Sequence, residues 1–276
     1  MPYDPKRKEF PYSEITDVHY MKVQRDDGTV FDSNYRYVDD SVKYKLIHGL
    51  LKVPLFAFCY VSFIQVLGLK IAGRKNLKKH RKELKKTGVV TVSNHIHRLD
   101  YMCIQMLMEP RQMRVLVWDK NLKGENKFFI RYVGGIPVPV NDTGATKAMM
   151  HQVTDYLGSG GVLHVDPEGS MWEYYMPIRP FKPGAFHFAV NCGVPVLPFA
   201  FSYREPKGIQ KLFYKKALVT LNVGEPIYPD LSLGRREAIL KLTEDTHAAV
   251  CRLAGIDPVD NVYHAIFDND PRVDYY

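Results

Sequence analysis

The sequence predicts an α/β protein: a mixed, mostly parallel β-sheet covered by helices, with an apolar helical element at its N-terminal side suited to docking on a membrane. Three observations predict it. From residue 89 onward, short β-branched runs alternate with helical stretches of about 10 to 15 residues, the pattern of a sheet with helices on both faces. Residues 53–69 (VPLFAFCYVSFIQVLGL) contain no charge. The chain has 276 residues, 46% hydrophobic and 25% charged, enough for one large core that needs no staples.

Taken in order, residues 1–42 are polar, Tyr-rich and aperiodic, and read as a loosely packed extension. Residues 43–86 join the apolar stretch to a basic cassette. As a helix, 53–69 would be roughly 25 Å long at 1.5 Å per residue, slightly short of a bilayer's hydrocarbon core. A buried core helix, an interfacial anchor and a short transmembrane helix all fit that length. The α/β domain then occupies 87–260, with a tail at 261–276. Strands are expected at 89–93 (VVTVS), 114–118 (RVLVW), 136–140, 161–165, 194–201 (VPVLPFAF, with edge-type prolines) and 217–223. Residues 101–108 are helical in composition. Asn141 or Asp142 can cap a helix through Leu157, with Ala145, Met149 and Val153 on one stripe. A short helix at 185–191 ends at Cys192-Gly193, and Ile239, Leu242, Val250 and Leu253 mark a C-terminal amphipathic helix.

Charge is concentrated in one place. The net +8 comes from 38 Lys+Arg against 30 Asp+Glu, and residues 70–86 hold nine of those cations and one acid, Glu83. The rest of the chain balances, which excludes a polycation that coats nucleic acid over its whole surface. No aromatic residue lies within 70–86, so base stacking is not indicated either. An apolar segment followed directly by Lys/Arg is the arrangement expected at the anionic cytoplasmic leaflet, with Lys75, Lys78, Lys79, Arg81 and Lys82 as candidate contacts to membrane or to an acidic acyl donor. Four cysteines lie far apart without a CxxC pair, which fits a reduced, cytosol-facing setting, and the opening MPYDPKRKEF is too charged for a signal peptide.

Ligands of such sheets gather beyond the carboxyl ends of the strands. Directly after the VVTVS run comes Asn94-His95-Ile96-His97-Arg98-Leu99-Asp100. Residues five apart do not share one helix face, but His95 on a turn and Asp100 on the entering helix can meet. A carboxylate accepting from one imidazole N–H fixes the tautomer and leaves the other nitrogen free to take a proton. Such a base needs no nucleophilic Ser or Cys and suits attack by a substrate hydroxyl on a reactive acyl carbonyl. A second polar loop, Asp166-Pro167-Glu168-Gly169-Ser170, follows the 161–165 strand.

With these blocks in view, the sequence resembles the glycerolipid (lysophospholipid) acyltransferases related to bacterial 1-acylglycerol-3-phosphate acyltransferase. Four blocks match in order: Asn94-His95 to Asp100 (H-x4-D); Gly134-Gly135-Ile136-Pro137-Val138, preceded by Lys120 and Phe128-Phe129; Pro167-Glu168-Gly169-Ser170, followed by Phe181-Lys182-Pro183-Gly184-Ala185; and Val194-Pro195-Val196-Leu197-Pro198. The resemblance implies an O-acyltransferase of phospholipid biosynthesis on the cytoplasmic side of a membrane. It binds no cofactor and takes acyl-CoA or acyl-carrier protein as co-substrate. His95 deprotonates the acceptor hydroxyl and Asp100 orients it. Asn94, Glu168, Gly169, Ser170 and Lys182 bind the acceptor, by default 1-acylglycerol-3-phosphate.

The chain also departs from the family. Val140 and Met171 stand where members usually carry arginines suited to phosphate, and His97 replaces a Ser commonly found two after the His. A different lysolipid or a glycolipid acceptor is the alternative, unless Arg98, Arg131, Arg179 or Lys182 compensates. Two readings from other classes are a metal-dependent hydrolase built on His95 and His97, for which the spacing supplies no full ligand set, and a non-catalytic basic membrane-binding module.

Overall fold

A computed structural model describes residues 26–257, apart from 173–176, 215 and the side chain of Val66. The expected tail at 261–276 and most of the N-terminal extension lie outside the described residues. In chain order the elements are α1 (Val42–Leu67), β1 (Lys70–Ala72), α2 (Arg74–Leu84), β2 (Val89–Val92), α3 (Asp100–Met108), β3 (Met113–Trp118), α4 (Lys127–Tyr132), β4 (Gly135–Val138), α5 (Thr143–Gly158), β5 (Val162–Val165), α6 (Gly184–Cys192), β6 (Val196–Arg204), α7 (Gln210–Phe213), β7 (Leu218–Val223) and α8 (Arg235–Ala254), with a 3-10 turn at Asp119–Leu122.

Among the described residues, seven strands form one sheet in the order β1-β7-β6-β2-β5-β3-β4. Every neighbouring pair is parallel except β6 with β7. The mixed, mostly parallel sheet is thus as the alternation of strand and helix patterns predicts. Two apolar clusters cover its two faces. One gathers α5, α6 and α8 around Val153, Leu157, Phe186, Ala189 and Leu242. The other gathers α1, α2 and α3 around Cys59, Phe63, Leu84, Met102 and Ile104.

Local chemistry explains most boundaries. Asp142 caps α5, its Oδ1 accepting from the Ala145 N–H at 2.9 Å. Gly193 (φ 61°) ends α6 in the left-handed conformation that costs glycine nothing. Ser41 caps α1, which starts a dozen residues before the charge-free stretch. Residues 43–52 intersperse Lys43, Lys45 and Lys52 among apolar residues, so composition hides the continuous helix. Its capped length and apolar content make Val42–Gln65 long and apolar enough to cross a bilayer, though only 17% of that window is buried against the protein.

Three expectations need correction. Residues 26–41 are not loosely packed: Phe31 and Tyr37 are buried, and Tyr37 Oη donates to the carbonyls of Phe31 and Asp32. Aromatic rings give an aperiodic segment enough apolar area to join a core. Within the cassette, Lys70–Ala72 is a strand paired with β7, too short for a pattern to show. The buried strand expected at 194–201 instead runs from Val196 to Arg204, inside the sheet between β2 and β7; Pro198 is tolerated there because pairing with β7 begins only at Phe199.

Candidate active site

The register of two central strands creates the site. Val92 of β2 stands beside Val165 of β5, so the residues that follow each strand, Ser93–His95 and Asp166–Glu168, emerge side by side. At this edge His95 Nδ1 lies 2.9 Å from Asp100 Oδ2. Asp100 opens α3, and its Oδ2 also accepts from the N–H groups of Ile96 and His97 while Oδ1 accepts from that of Tyr101. These bonds use two donors of the preceding turn and one of the first helical turn to lock the carboxylate in place. The Nδ1 proton is fixed toward Asp100, which makes Nε2 the basic nitrogen.

A second carboxylate, absent from the expected site, faces the same nitrogen. Asp166 Oδ2 is 3.5 Å from His95 Nδ1. Its other oxygen accepts from Ser93 Oγ at 3.0 Å and pairs with His164 Nε2 at 3.2 Å, and His164 Nδ1 meets Thr91 Oγ1. Thr91 and His164 are fully buried. Burial opposes a charge on His95, but Asp100, Asp166 and Glu168 outweigh it and raise its pKa to about 9. Burial likewise disfavours the Asp166 carboxylate, yet His95 and His164 hold its pKa below the usual range.

The Pro-Glu-Gly-Ser loop braces the histidine's backbone. Glu168 Oε2 accepts from the His95 N–H at 3.3 Å, and the His95 carbonyl accepts from the Trp172 N–H at 3.1 Å. Glu168 is itself held by Arg179, whose Nη2 donates to Oε2 at 2.7 Å and whose backbone N–H donates to Oε1. The same guanidinium bonds Ser170 Oγ and the Ser170 carbonyl and stacks 4.2 Å from the Trp172 ring. Burial pushes the Glu168 carboxyl up against the opposing pull of Arg179.

Three of the residues expected to bind the acceptor also brace the site. Glu168 and Ser170 are buried and bonded to Arg179, so they hold the site together. Asn94 is 1% exposed; its amide donates to the Phe201 carbonyl and accepts from the Phe201 N–H, tying the catalytic turn to β6. Gly169 (φ 79°) is exposed at the mouth, and a Cβ there would press on Lys182 Cε at 3.0 Å, which places Lys182 beside it. Of the four candidates to replace the missing arginines, Arg179 is engaged as above and Arg131 bonds Tyr35 and Asp39 away from the site. Arg98, exposed on the catalytic turn, and the half-buried Lys182 stay at the mouth.

Lys75, Lys78, Lys79, Arg81 and Lys82 are exposed on α2, but α2 lies at the opposite edge of the sheet. Asn76 bonds the carbonyl of Val223, where antiparallel β7 ends, and Arg111 ties the carbonyl of Leu84 to those of Thr87 and Gly160, which precede β2 and β5. There Arg74, Lys78, Arg81 and Lys85 line a cleft with Met106 and Leu107. The cassette, expected as a contact to membrane or donor, therefore does not lie at the edge that carries His95, because α2 turns back beneath the strands before β2 begins.

His95, Asp100 and Asp166 bring three potential metal-ligand atoms within 4.8 Å of one another. Spacing alone does not reveal this set, since Asp166 comes from another strand. The set fits a cation poorly: the His95 atom involved is the Nδ1 that donates to Asp100, and Asp166 already accepts from Ser93 and pairs with His164. His97 takes no part in the set and lies edge-on to the Phe63 ring.

A histidine held by two carboxylates at the strand ends of an α/β sheet can act as a general base, and the described neighbouring hydroxyls of Ser93 and Ser170 are bonded to Asp166 and Arg179. Residues 68–202, which contain both loops of the site, match the protein-family model described as Acyltransferase. The fold is similar to the crystal structure of the 1-acyl-sn-glycerophosphate (LPA) acyltransferase PlsC from Thermotoga maritima, with a TM-score of 0.50 and 19% identity over 79% of this chain and 85% of that one. No curated protein sequence matches.

Proposed function

We propose that this acyltransferase moves a fatty acyl group from a thioester, acyl-CoA or acyl-carrier protein, to a hydroxyl of a lysolipid at a membrane surface. The observation that supports it is the His95 geometry: Nδ1 is fixed on Asp100, while the nearby hydroxyls of Ser93 and Ser170 are engaged with Asp166 and Arg179. An acyl-enzyme on either serine is disfavoured, so the substrate's own hydroxyl attacks. Nε2 takes the hydroxyl proton as the oxygen adds to the thioester carbonyl. The tetrahedral oxyanion then collapses, the C–S bond breaks, and the imidazolium returns the proton to the departing sulfur. Asp100 and Asp166 stabilise the imidazolium between the two proton transfers.

α1 supports the membrane part of the reading. Val42, Leu46, Leu50, Val53, Val61 and Ile64 are exposed along one face, whereas Cys59, Phe63 and Leu67 on the other are buried against the domain. A helix that packs on the domain by one face and leaves an apolar stripe on the other suits a position in the interface better than one surrounded by lipid. The cytoplasmic face, where thiols stay reduced, suits the four free cysteines.

1-Acylglycerol-3-phosphate is the default acceptor, the relative from Thermotoga maritima being named for it. Its phosphate would rest on Arg98 and Lys182. A lysolipid without that phosphate is the second reading, favoured by the commitment of Arg131 and Arg179 elsewhere. A panel of lysolipids with labelled acyl-CoA, run on the wild type and His95→Ala, tests both. Transfer to a phosphate-free acceptor alone would select the second reading, and transfer to no lysolipid would overturn the proposal.

A further inference from the structure

The β6–β7 connection exposes three large apolar side chains that neither core accounts for. Ile209, Leu212 and Phe213 are 71%, 79% and 75% exposed, on and just before the single-turn helix α7. An isolated exposed Leu is ordinary; three within five residues are not.

Their place in the fold gives them a meaning. β6 runs parallel to β2, so its end at Arg204 lies at the same sheet edge as His95, and β7 starts back from that edge at Leu218. The Asn94–Phe201 bonds tie the catalytic turn to the strand that leads into this connection. The connection is also fastened to the C-terminal end of α1: Tyr214 Oη donates to the Ile64 carbonyl at 2.9 Å, and the Arg204 guanidinium bonds the Gly68 carbonyl. Ile64 is the last member of the exposed apolar stripe on α1. Stripe and connection thus meet beside the site. Lys207 and Lys211 are exposed among the apolar residues, with Glu205 as the neighbouring acid.

We infer that residues 207–213 form a second membrane-contact element, in which Ile209, Leu212 and Phe213 enter an anionic bilayer while Lys207 and Lys211 meet lipid phosphates. Apolar side chains flanked by lysines match the boundary between acyl chains and anionic headgroups. The contact deepens the membrane reading of α1 and rests on it: two elements fix a plane where one helix fixes only an axis. Together they hold the mouth of the site at the height of the lipid headgroups, where an acceptor hydroxyl is found.

The test uses the full chain and sedimentation with phosphatidylcholine vesicles containing roughly one-third phosphatidylglycerol, alongside pure phosphatidylcholine. Leu212→Gln with Phe213→Gln should lower partitioning onto the anionic vesicles by about tenfold or more, with an unchanged near-ultraviolet circular dichroism spectrum. Lys207→Gln with Lys211→Gln should lower binding to the anionic vesicles only. Phe213→Trp, which keeps an aromatic ring, should show a blue-shifted emission on vesicles that brominated lipids quench, read as a difference from the wild type. Binding of the Leu212/Phe213 variant within about twofold of the wild type would overturn the inference. So would an unquenched Phe213→Trp signal, or loss of self-association in buffer with vesicle binding intact, which would assign the patch to a second copy of the chain. Lysolipid acylation is read separately: no transfer by a wild type whose vesicle binding depends on Leu212 and Phe213 would sink the enzymatic reading and keep this one.

Discussion

At the edge where β2 and β5 end, His95, Asp100, Asp166, Glu168 and Arg179 are largely buried and bonded to one another, whereas at the opposite edge the cations of α2 stand in solvent. Both edges are rich in charge, and by sequence the second is the more conspicuous. Burial decides which of them does chemistry. In a low-dielectric pocket a neighbouring carboxylate moves a histidine's proton affinity by units, while exposed lysines interact through screened water and change little one at a time. Counting charge therefore points to the wrong edge for the reaction, and hydrogen-bond geometry points to the right one.

The contrast can be broken most severely at its catalytic member. His95→Ala should lower acyl transfer by about 10²- to 10⁴-fold with the fold intact, measured with labelled acyl-CoA and a lysolipid. A loss below tenfold would remove His95 from the reaction. Arg179→Met should come next, destabilising the protein by about 3–5 kcal/mol in chemical denaturation, because it strands the buried Glu168 carboxylate. A variant as stable as the wild type would show that Glu168 is not held as described.

The pH dependence sharpens the comparison. Nε2 acts as a base only when His95 is neutral, and its pKa is raised to about 9, so activity should fall as the pH drops below about 9. Asp166→Asn removes one of the charges that raise it, and the inflection of the kcat/KM profile should move toward neutral pH by on the order of one unit. An unmoved inflection would show that Asp166 does not act on His95. The smallest effect belongs to the other edge. Lys75→Gln, Lys78→Gln and Lys82→Gln, made singly, should each change stability by no more than about 0.5 kcal/mol. Their influence, where there is one, should appear as a salt-dependent change in binding to anionic vesicles.

Much of the fold is legible in the sequence. The β2, β3, β5 and β7 runs stand within a residue or two of their expected positions, because mostly buried strands are written as short runs rich in apolar and β-branched residues. α5 is equally readable from its Asp142 cap and its apolar stripe. β1, α4 and α7 are not: three, six and four residues are too few for any period to register. At the site, His95 and Asp100 are five residues apart on one turn, and their pairing follows from local geometry. Asp166 is 71 residues from His95 and reaches it only because β5 lies beside β2 in register. Arg179 stands 11 residues from Glu168 and 9 from Ser170, separations at which residues of one helix or strand do not meet.

The sequence by itself determined that this is an α/β protein with an apolar element before its sheet, and that a histidine and an aspartate share one turn at a strand end. Those features depend on neighbours along the chain. Only the tertiary structure decided that Glu168, Ser170 and Asn94 brace the site, that Asp166 is the second carboxylate on His95, and that the basic helix lies at the far edge. The reason is physical: a side chain's role depends on which hydrogen-bonding groups surround it once water is excluded, and strand order brings those groups together from distant parts of the chain.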